Sequence, residues 1–216
     1  MSPVTRWIFI RHAPVRAGGV IYGNTDVSAD CSDVRAFEVL AAALPPGAVW
    51  LTSQLSRTVD TARAIGAGGY ALPELAADAR FGEQDFGEWH GLTHDALAAA
   101  QGDTYHRFWR APAAHRPPGG ESFMEVIARV GAALTEWTAR HAGRDIVCAC
   151  HGGTIRAALA HALDLAPERA LQIMADNLSR TAVDYVAPTA GFDGAWRVRA
   201  VNLPPIDGQE GNHGTA

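Results

Sequence analysis

Three short apolar runs in this chain stop abruptly at polar side chains: Trp7–Ile10 ends on Arg11-His12, Ala48–Thr52 on Ser53-Gln54, and Ile146–Cys150 on His151-Gly152. Runs this short fit buried strands, although periodicity alone does not separate them from buried helix. Between them lie Ala-rich stretches with apolar residues at helical spacing, at Val34–Leu44, Ser56–Ile65, His94–Ala100, Phe123–His141 and Thr154–Leu163. Strands alternating with helices predict an α/β fold around a parallel or mostly parallel sheet. The last third reads differently. Thr181–Ala187 and Ala195–Asn202 flank an Asp193-Gly194 turn signal, and Trp196 and Val198 alternate with Arg197 and Arg199, the pattern of a half-exposed strand near a sheet edge. Arg110–Gly120, which holds Pro112, Pro117 and Pro118, reads as a loop, and Leu203–Ala216 as a flexible tail, which leaves a single domain over 1–202.

Composition narrows the chemistry. The 216 residues include 18 basic ones, all Arg, against 23 acidic ones, a formal net charge of −5. Without lysine there is no Schiff-base, P-loop or protein-kinase ATP lysine. Mild acidity with no basic block argues against a nucleic-acid surface. No apolar run approaches a membrane span and no signal-peptide pattern opens the chain, so a cytoplasmic protein is expected. Cys31, Cys148 and Cys150 are too few and too unevenly placed for a disulfide scaffold. The last two, two apart on an expected strand, should face one packed layer.

The strongest local signal is Phe9-Ile10-Arg11-His12, an apolar strand ending in a cation beside an imidazole. In open α/β sheets, ligands bind beyond the carboxyl ends of the strands. If the strands ending at His12 and His151 lie side by side, the two imidazoles meet at one edge. Gly152 and Gly153 then let the backbone approach a ligand, and the following helix start offers free N–H groups to an anion. Two histidines and an arginine at a helix N-terminus suit phosphate, and Arg57 adds a second forked donor. Phe81–Gly91 sets acidic residues among aromatics and glycines; a carboxyl desolvated there by Phe81, Phe86 or Trp89 is expected to supply a proton near neutrality. Each piece alone has an ordinary explanation, as a packed histidine, a turn, a solvated arginine or a loop. Their coincidence at two strand ends is what carries weight.

These segments, in this order, resemble the histidine phosphatase superfamily, in the branch of phosphoglycerate mutases and small-molecule phosphatases. The matching elements are Arg11-His12, Ser53-x-Leu55-x-Arg57-Thr58-x-x-Thr61-Ala62, Glu83-x-Asp85-Phe86-Gly87-x-Trp89-x-Gly91, Gly120-Glu121-Ser122 and His151-Gly152-Gly153. Tyr22-Gly23-Asn24-Thr25-Asp26 resembles the early loop of α-ribazole phosphatases. The resemblance implies a three-layer α/β sandwich of phosphoglycerate mutase type. It also implies a metal-independent phosphomonoesterase, without cofactor, acting on a small phosphorylated metabolite such as α-ribazole 5′-phosphate. By the same resemblance His12 is the nucleophile and becomes phosphorylated. Arg11, Arg57, His151 and Gly152 surround the phosphoryl oxygens, Asn24 and Thr25 lie near them, and Glu83 is the general acid. A phosphoglycerate-type phosphomutase and a non-catalytic phospho-ligand binder are the alternatives.

Three positions depart from the family pattern. Ala13 follows the Arg-His pair in place of the usual Gly, which predicts an ordinary backbone there. Val15 lacks the usual hydroxyl, so one phosphate contact is either absent or supplied by Thr25, and His90 replaces a common acidic residue. His90 and His94 have the spacing of two metal ligands on one helix face, but Gly91 between them favours a loop followed by a helix cap. Ser122 is expected to cap a helix, and Phe108 and Trp109 are read as packing aromatics. The late strand with Trp196 is either an interface, giving a homodimer, or a covered edge.

Overall fold

The computed structural model describes residues 3–205. Six strands, β1 (Val4–Arg11), β2 (Val49–Thr52), β3 (Leu75–Ala77), β4 (Asp145–Cys150), β5 (Arg180–Val186) and β6 (Ala195–Leu203), form one sheet in the order β3-β2-β4-β1-β5-β6. The first four of that order run parallel, and β5 and β6 are added antiparallel. The helices are α1 (Val34–Ala43), α2 (Ser56–Ala67), α3 (His94–Gln101), α4 (Asp103–Arg110), α5 (Phe123–Arg140), α6 (Gly152–Leu163) and α7 (Pro167–Ala170).

Successive side chains of a strand point to opposite faces. Trp7, Phe9, Ile146, Cys148 and Cys150 therefore pack with α5 and α6, while Ile10, Val147 and Ala149 pack with α1 and α2. Burial on both faces is why these strands read as unbroken apolar runs. The result is the three-layer α/β sandwich, and the two β4 cysteines share the α5–α6 layer. A smaller cluster of Ile21, Trp89, Leu97 and Phe108 ties α3 and α4 to the loops, with Trp89 and Phe108 edge to face at 4.9 Å. The side chain of Trp109 and the tail beyond residue 205 lie outside the described residues.

Ser122 caps α5 in a reciprocal pair with Glu125, and Ala13 keeps a negative φ. The sequence carried no expectation of β3, α4 or α7. Each is short, and Leu75-Ala76-Ala77 lacks the β-branched residues that mark strands. Among the described residues no helix is long and apolar enough to cross a membrane.

The winding positions the site. The connections β1–β2 and β2–β3 run through α1 and α2 on one face, while α5 and α6 return on the other. Neighbouring strands β1 and β4 thus send the chain to opposite faces, which opens the crevice where open α/β sheets bind ligands. Pairing of Arg11 with Cys150 in register brings His12 and His151 to that crevice together.

Candidate active site

His12, 1 % exposed, and the fully buried His151 stand with ring centroids 5.2 Å apart. His12 Nδ1 lies 2.7 Å from the Ala13 carbonyl oxygen. A carbonyl only accepts, so Nδ1 carries the proton and Nε2 keeps its lone pair. Burial, then the Arg57 and Arg11 guanidiniums, hold the His12 pKa down to about 3 against the opposing pull of the Ala13 carbonyl. The ring is neutral at neutral pH.

His151 has the opposite tautomer. Arg57 Nε donates to its Nδ1 at 3.2 Å, which leaves Nε2–H to donate to Ser53 Oγ at 2.8 Å. Thr58 Oγ1 is 3.1 Å from Ser53 Oγ and donates to the Leu55 carbonyl at 2.8 Å, so it accepts the serine proton. Burial first, then His12 and the arginines, push His151 well below the ordinary histidine value. The Ser53-to-Thr58 segment is thus a relay of donors that fixes one neutral imidazole.

Arg57 is fully buried and reaches across to the Tyr22–Asp26 loop, donating from Nη1 to the Thr25 carbonyl (2.7 Å) and from Nη2 to the Gly23 carbonyl (2.6 Å). The Tyr22 ring lies over its guanidinium at 5.2 Å. Asp26 accepts from Ser56 N and Ser56 Oγ, both at 2.7 Å, and so caps α2, whose own N-cap residue Leu55 has no side-chain oxygen. Thr25 contributes its carbonyl, and Asn24 lines the cleft beside the site. Burial lowers the Arg57 pKa, opposed by Glu83, Tyr22 and Asp26.

Arg11 donates from Nη1 to the Ala175 carbonyl (2.7 Å), and its Nε is buried with no partner among the described residues. A Cβ on Gly152 would sit 3.7 Å from both Arg11 Nε and Arg156 Nη1, so two guanidiniums flank the first residue of α6. Gly153 N donates to Glu83 Oε2 at 3.2 Å, and a Cβ at 153 would fall 2.2 Å from Glu83 Oε1. The second glycine of the motif is bare because the Glu83 carboxylate occupies that space. Phe81 is committed to the core beside Trp7, and Trp89 to the α3–α4 cluster; the Glu83 carboxylate is met instead by backbone N–H groups of Gln84 and Gly153.

His90 Nε2 accepts from Phe86 N at 3.1 Å and lies 2.7 Å from where a Gly23 Cβ would be, so it links the acidic loop to the Tyr22–Asp26 strap. Gly91 has φ +81° and α3 starts only at His94, capped by Thr93, so His90 and His94 share no helix. Among the described residues no cluster of three or more His, Cys, Asp or Glu could hold a metal ion.

One part of the site had no expectation from sequence. In the loop after α7, Asn177 Nδ2 donates to the His12 carbonyl (2.7 Å) and Leu178 N to the Arg11 carbonyl (3.0 Å), with Leu178 at φ +61°. A bulky residue there stores about 1–3 kcal/mol of strain that its surroundings must hold. The neighbouring Asp176 is clamped by Asn202, which accepts from Asp176 N (2.6 Å) and donates to its carboxylate (2.7 Å). The one hint was the Asp176-Asn177 pair, a common turn signal.

Residues 7–202 match the histidine phosphatase superfamily (branch 1). Glucosyl-3-phosphoglycerate phosphatase of Mycolicibacterium vanbaalenii is 34% identical over 178 residues, 75% of this chain and 76% of that protein. The 2,3-bisphosphoglycerate-dependent phosphoglycerate mutase 2 of Gloeobacter violaceus is 32% identical over 148 residues, 67% of this chain and 64% of that protein. The solved α-ribazole phosphatase of Shigella flexneri is similar in fold, with a TM-score of 0.77 at 20% identity over 95% of this chain and 99% of that one. The match runs through both strand ends and every motif that lines the crevice, and on it the chain belongs to branch 1 of the histidine phosphatase superfamily.

Proposed function

We propose that this protein is a phosphomonoesterase that hydrolyses a small phosphorylated metabolite through a phosphohistidine at His12. The observation that carries this reading is the state of that ring: buried, neutral, with its Nδ1 proton tied to the Ala13 carbonyl and Nε2 left as a base beside two arginines. A phosphate monoester dianion repels nucleophiles, so its oxygens must first meet fixed positive charge. Arg57, Arg11 with an Nε that has no partner among the described residues, and the N-terminal N–H groups of α6 at Gly152 are the groups for that role, with Asn24 and Thr25 closing the loop around it. His151, expected from the sequence to bind phosphate directly, is neutral with both ring nitrogens bonded and instead positions Arg57.

In the first step Nε2 of His12 bonds to phosphorus, the ester P–O bond breaks, and Glu83 gives its proton to the leaving oxygen. In the second step water attacks phosphorus and gives a proton to the Glu83 carboxylate, and the P–N bond breaks to release phosphate. The arginines supply the charge that a metal would supply elsewhere. α-Ribazole 5′-phosphate is one candidate substrate.

A phosphomutase is the second reading, favoured by the likeness to the Gloeobacter violaceus mutase. The test is phosphate release from p-nitrophenyl phosphate together with 32P transfer to protein from a labelled ester. Release and an alkali-stable label, both lost in His12→Ala and both insensitive to chelator, are expected. Turnover that survives His12→Ala sinks the reading, and isomerisation of 3-phosphoglycerate without phosphate release would favour the mutase.

A further inference from the structure

If Glu83 protonates the leaving oxygen, that oxygen is the first atom of the leaving group, and the cleft Glu83 lines must receive the rest; the inference rests on that reading. The cleft has a volume of about 250 Å³ and is lined by Asn24, Gln54, Glu83, Asp85, Glu121 and Arg129 together with glycine backbone. Asn24 lies between the two carbonyls that hold Arg57, and Gln54 follows the serine that holds His151, so the cleft adjoins the phosphoryl site.

Arg129 is the one cation among these lining residues, and it is fully committed. Its Nε donates to Glu121 Oε2 (3.0 Å), Nη1 to the carbonyls of Arg80 (2.7 Å) and Gly82 (2.9 Å), and Nη2 to the Glu83 carbonyl (3.2 Å) and Glu121 Oε1 (2.7 Å). A guanidinium has five N–H donors, so none is left for a ligand, and the Glu121 carboxylate matches its charge. What remains is the Asp85 carboxylate, the Glu83 carboxylate in its ionised half of the cycle, and two carboxamides.

We infer that this cleft selects phosphate esters whose leaving alcohol is uncharged and hydroxyl-rich, and rejects those whose leaving group carries a carboxylate or a second phosphate. Carboxamides both donate and accept, as hydroxyls require. An anion in the same place meets like charge and no free cationic donor. A bisphosphorylated intermediate, which a phosphoglycerate-type mutase must retain, is disfavoured for the same reason.

Glycerol 3-phosphate and 3-phosphoglycerate form a matched pair, identical except for a hydroxymethyl group in place of the carboxylate. The expected kcat/KM is at least about tenfold higher for glycerol 3-phosphate, equivalent to ~1.4 kcal/mol. Asp85→Asn keeps an oxygen to accept from Gly87 N (2.7 Å) while removing a charge, and should narrow the ratio about threefold. Asn24→Asp, which adds a charge, should widen it. An equal or reversed ratio, or one that neither variant moves, overturns the inference. If p-nitrophenyl phosphate is turned over through His12 while the ratio fails, the cleft argument alone falls. If no ester is turned over, the phosphatase reading falls and takes the inference with it.

Discussion

Gly153→Ala moves a carboxylate without altering it. The new Cβ would lie 2.2 Å from Glu83 Oε1 and 3.2 Å from Cδ, and ordinary contact begins near 3.4 Å, so the carboxylate must retreat by about 1.2 Å. Misplacing a reacting group by ~1 Å costs on the order of 10²-fold, within the 10²–10⁴-fold that a general acid contributes. For glycerol 3-phosphate, whose alkoxide cannot leave unprotonated, kcat/KM should therefore fall about 10²-fold, a barrier increase of about 3 kcal/mol. For p-nitrophenyl phosphate, whose phenolate leaves without a proton, the loss should stay under about threefold. The fold should survive, because the yielding group is the far end of a flexible side chain and Ala in a helix gains roughly 0.5–1 kcal/mol over Gly. The assay is phosphate release from both esters, repeated in a Glu83→Gln background, where Gly153→Ala should add nothing further. Parallel losses on the two esters, or a second full loss on top of Glu83→Gln, would refute the placement of the proton donor.

Two further outcomes follow from the buried imidazoles. The folded His12 pKa of about 3 lies below the ordinary 6.5, so between those values the unfolded chain binds a proton that the folded site refuses. That stability is complete above about pH 6.5 and declines as pH falls toward 3, by about 1 kcal/mol per pH unit for His12 alone, with the lowered His151 acting in the same direction. Urea unfolding between pH 7 and 5 measures it, and a flat profile would contradict the burial. Ser53→Ala strands the His151 Nε2 proton in a dry site. It should cost about 1–3 kcal/mol of stability in urea and raise KM more than it lowers kcat, whereas Ser53→Thr should retain most of both.

The strand ends were legible because burial on both faces of β1 and β4 writes itself as unbroken apolar runs, and the imidazoles sit directly at their ends. Strand order was not, since nothing in the residues of β4 says that it inserts between β2 and β1. Gly153 was visible as a glycine but not for its reason: freedom of approach to a ligand was expected, and what it provides is room for Glu83. Arg129 is indistinguishable in sequence from a solvated helix arginine, because three of its five hydrogen bonds go to backbone carbonyls 46 to 49 positions away, which any residue supplies. The same anonymity of backbone acceptors hid the loop after α7, where Ala175 holds Arg11 by its carbonyl alone. The short β3 and α7 lack the length over which periodicity accumulates.

The Asn202 clamp on Asp176 ties β6, the outermost strand of the sheet, to the loop that holds the end of β1. Every recognisable motif lies before or at His151-Gly152-Gly153, yet the loop that steadies Arg11 and His12 is itself fastened by a side chain some fifty positions later. Edge strand and strand end are thus mechanically joined: whatever loosens β6 also loosens the hold on the backbone of Arg11 and His12.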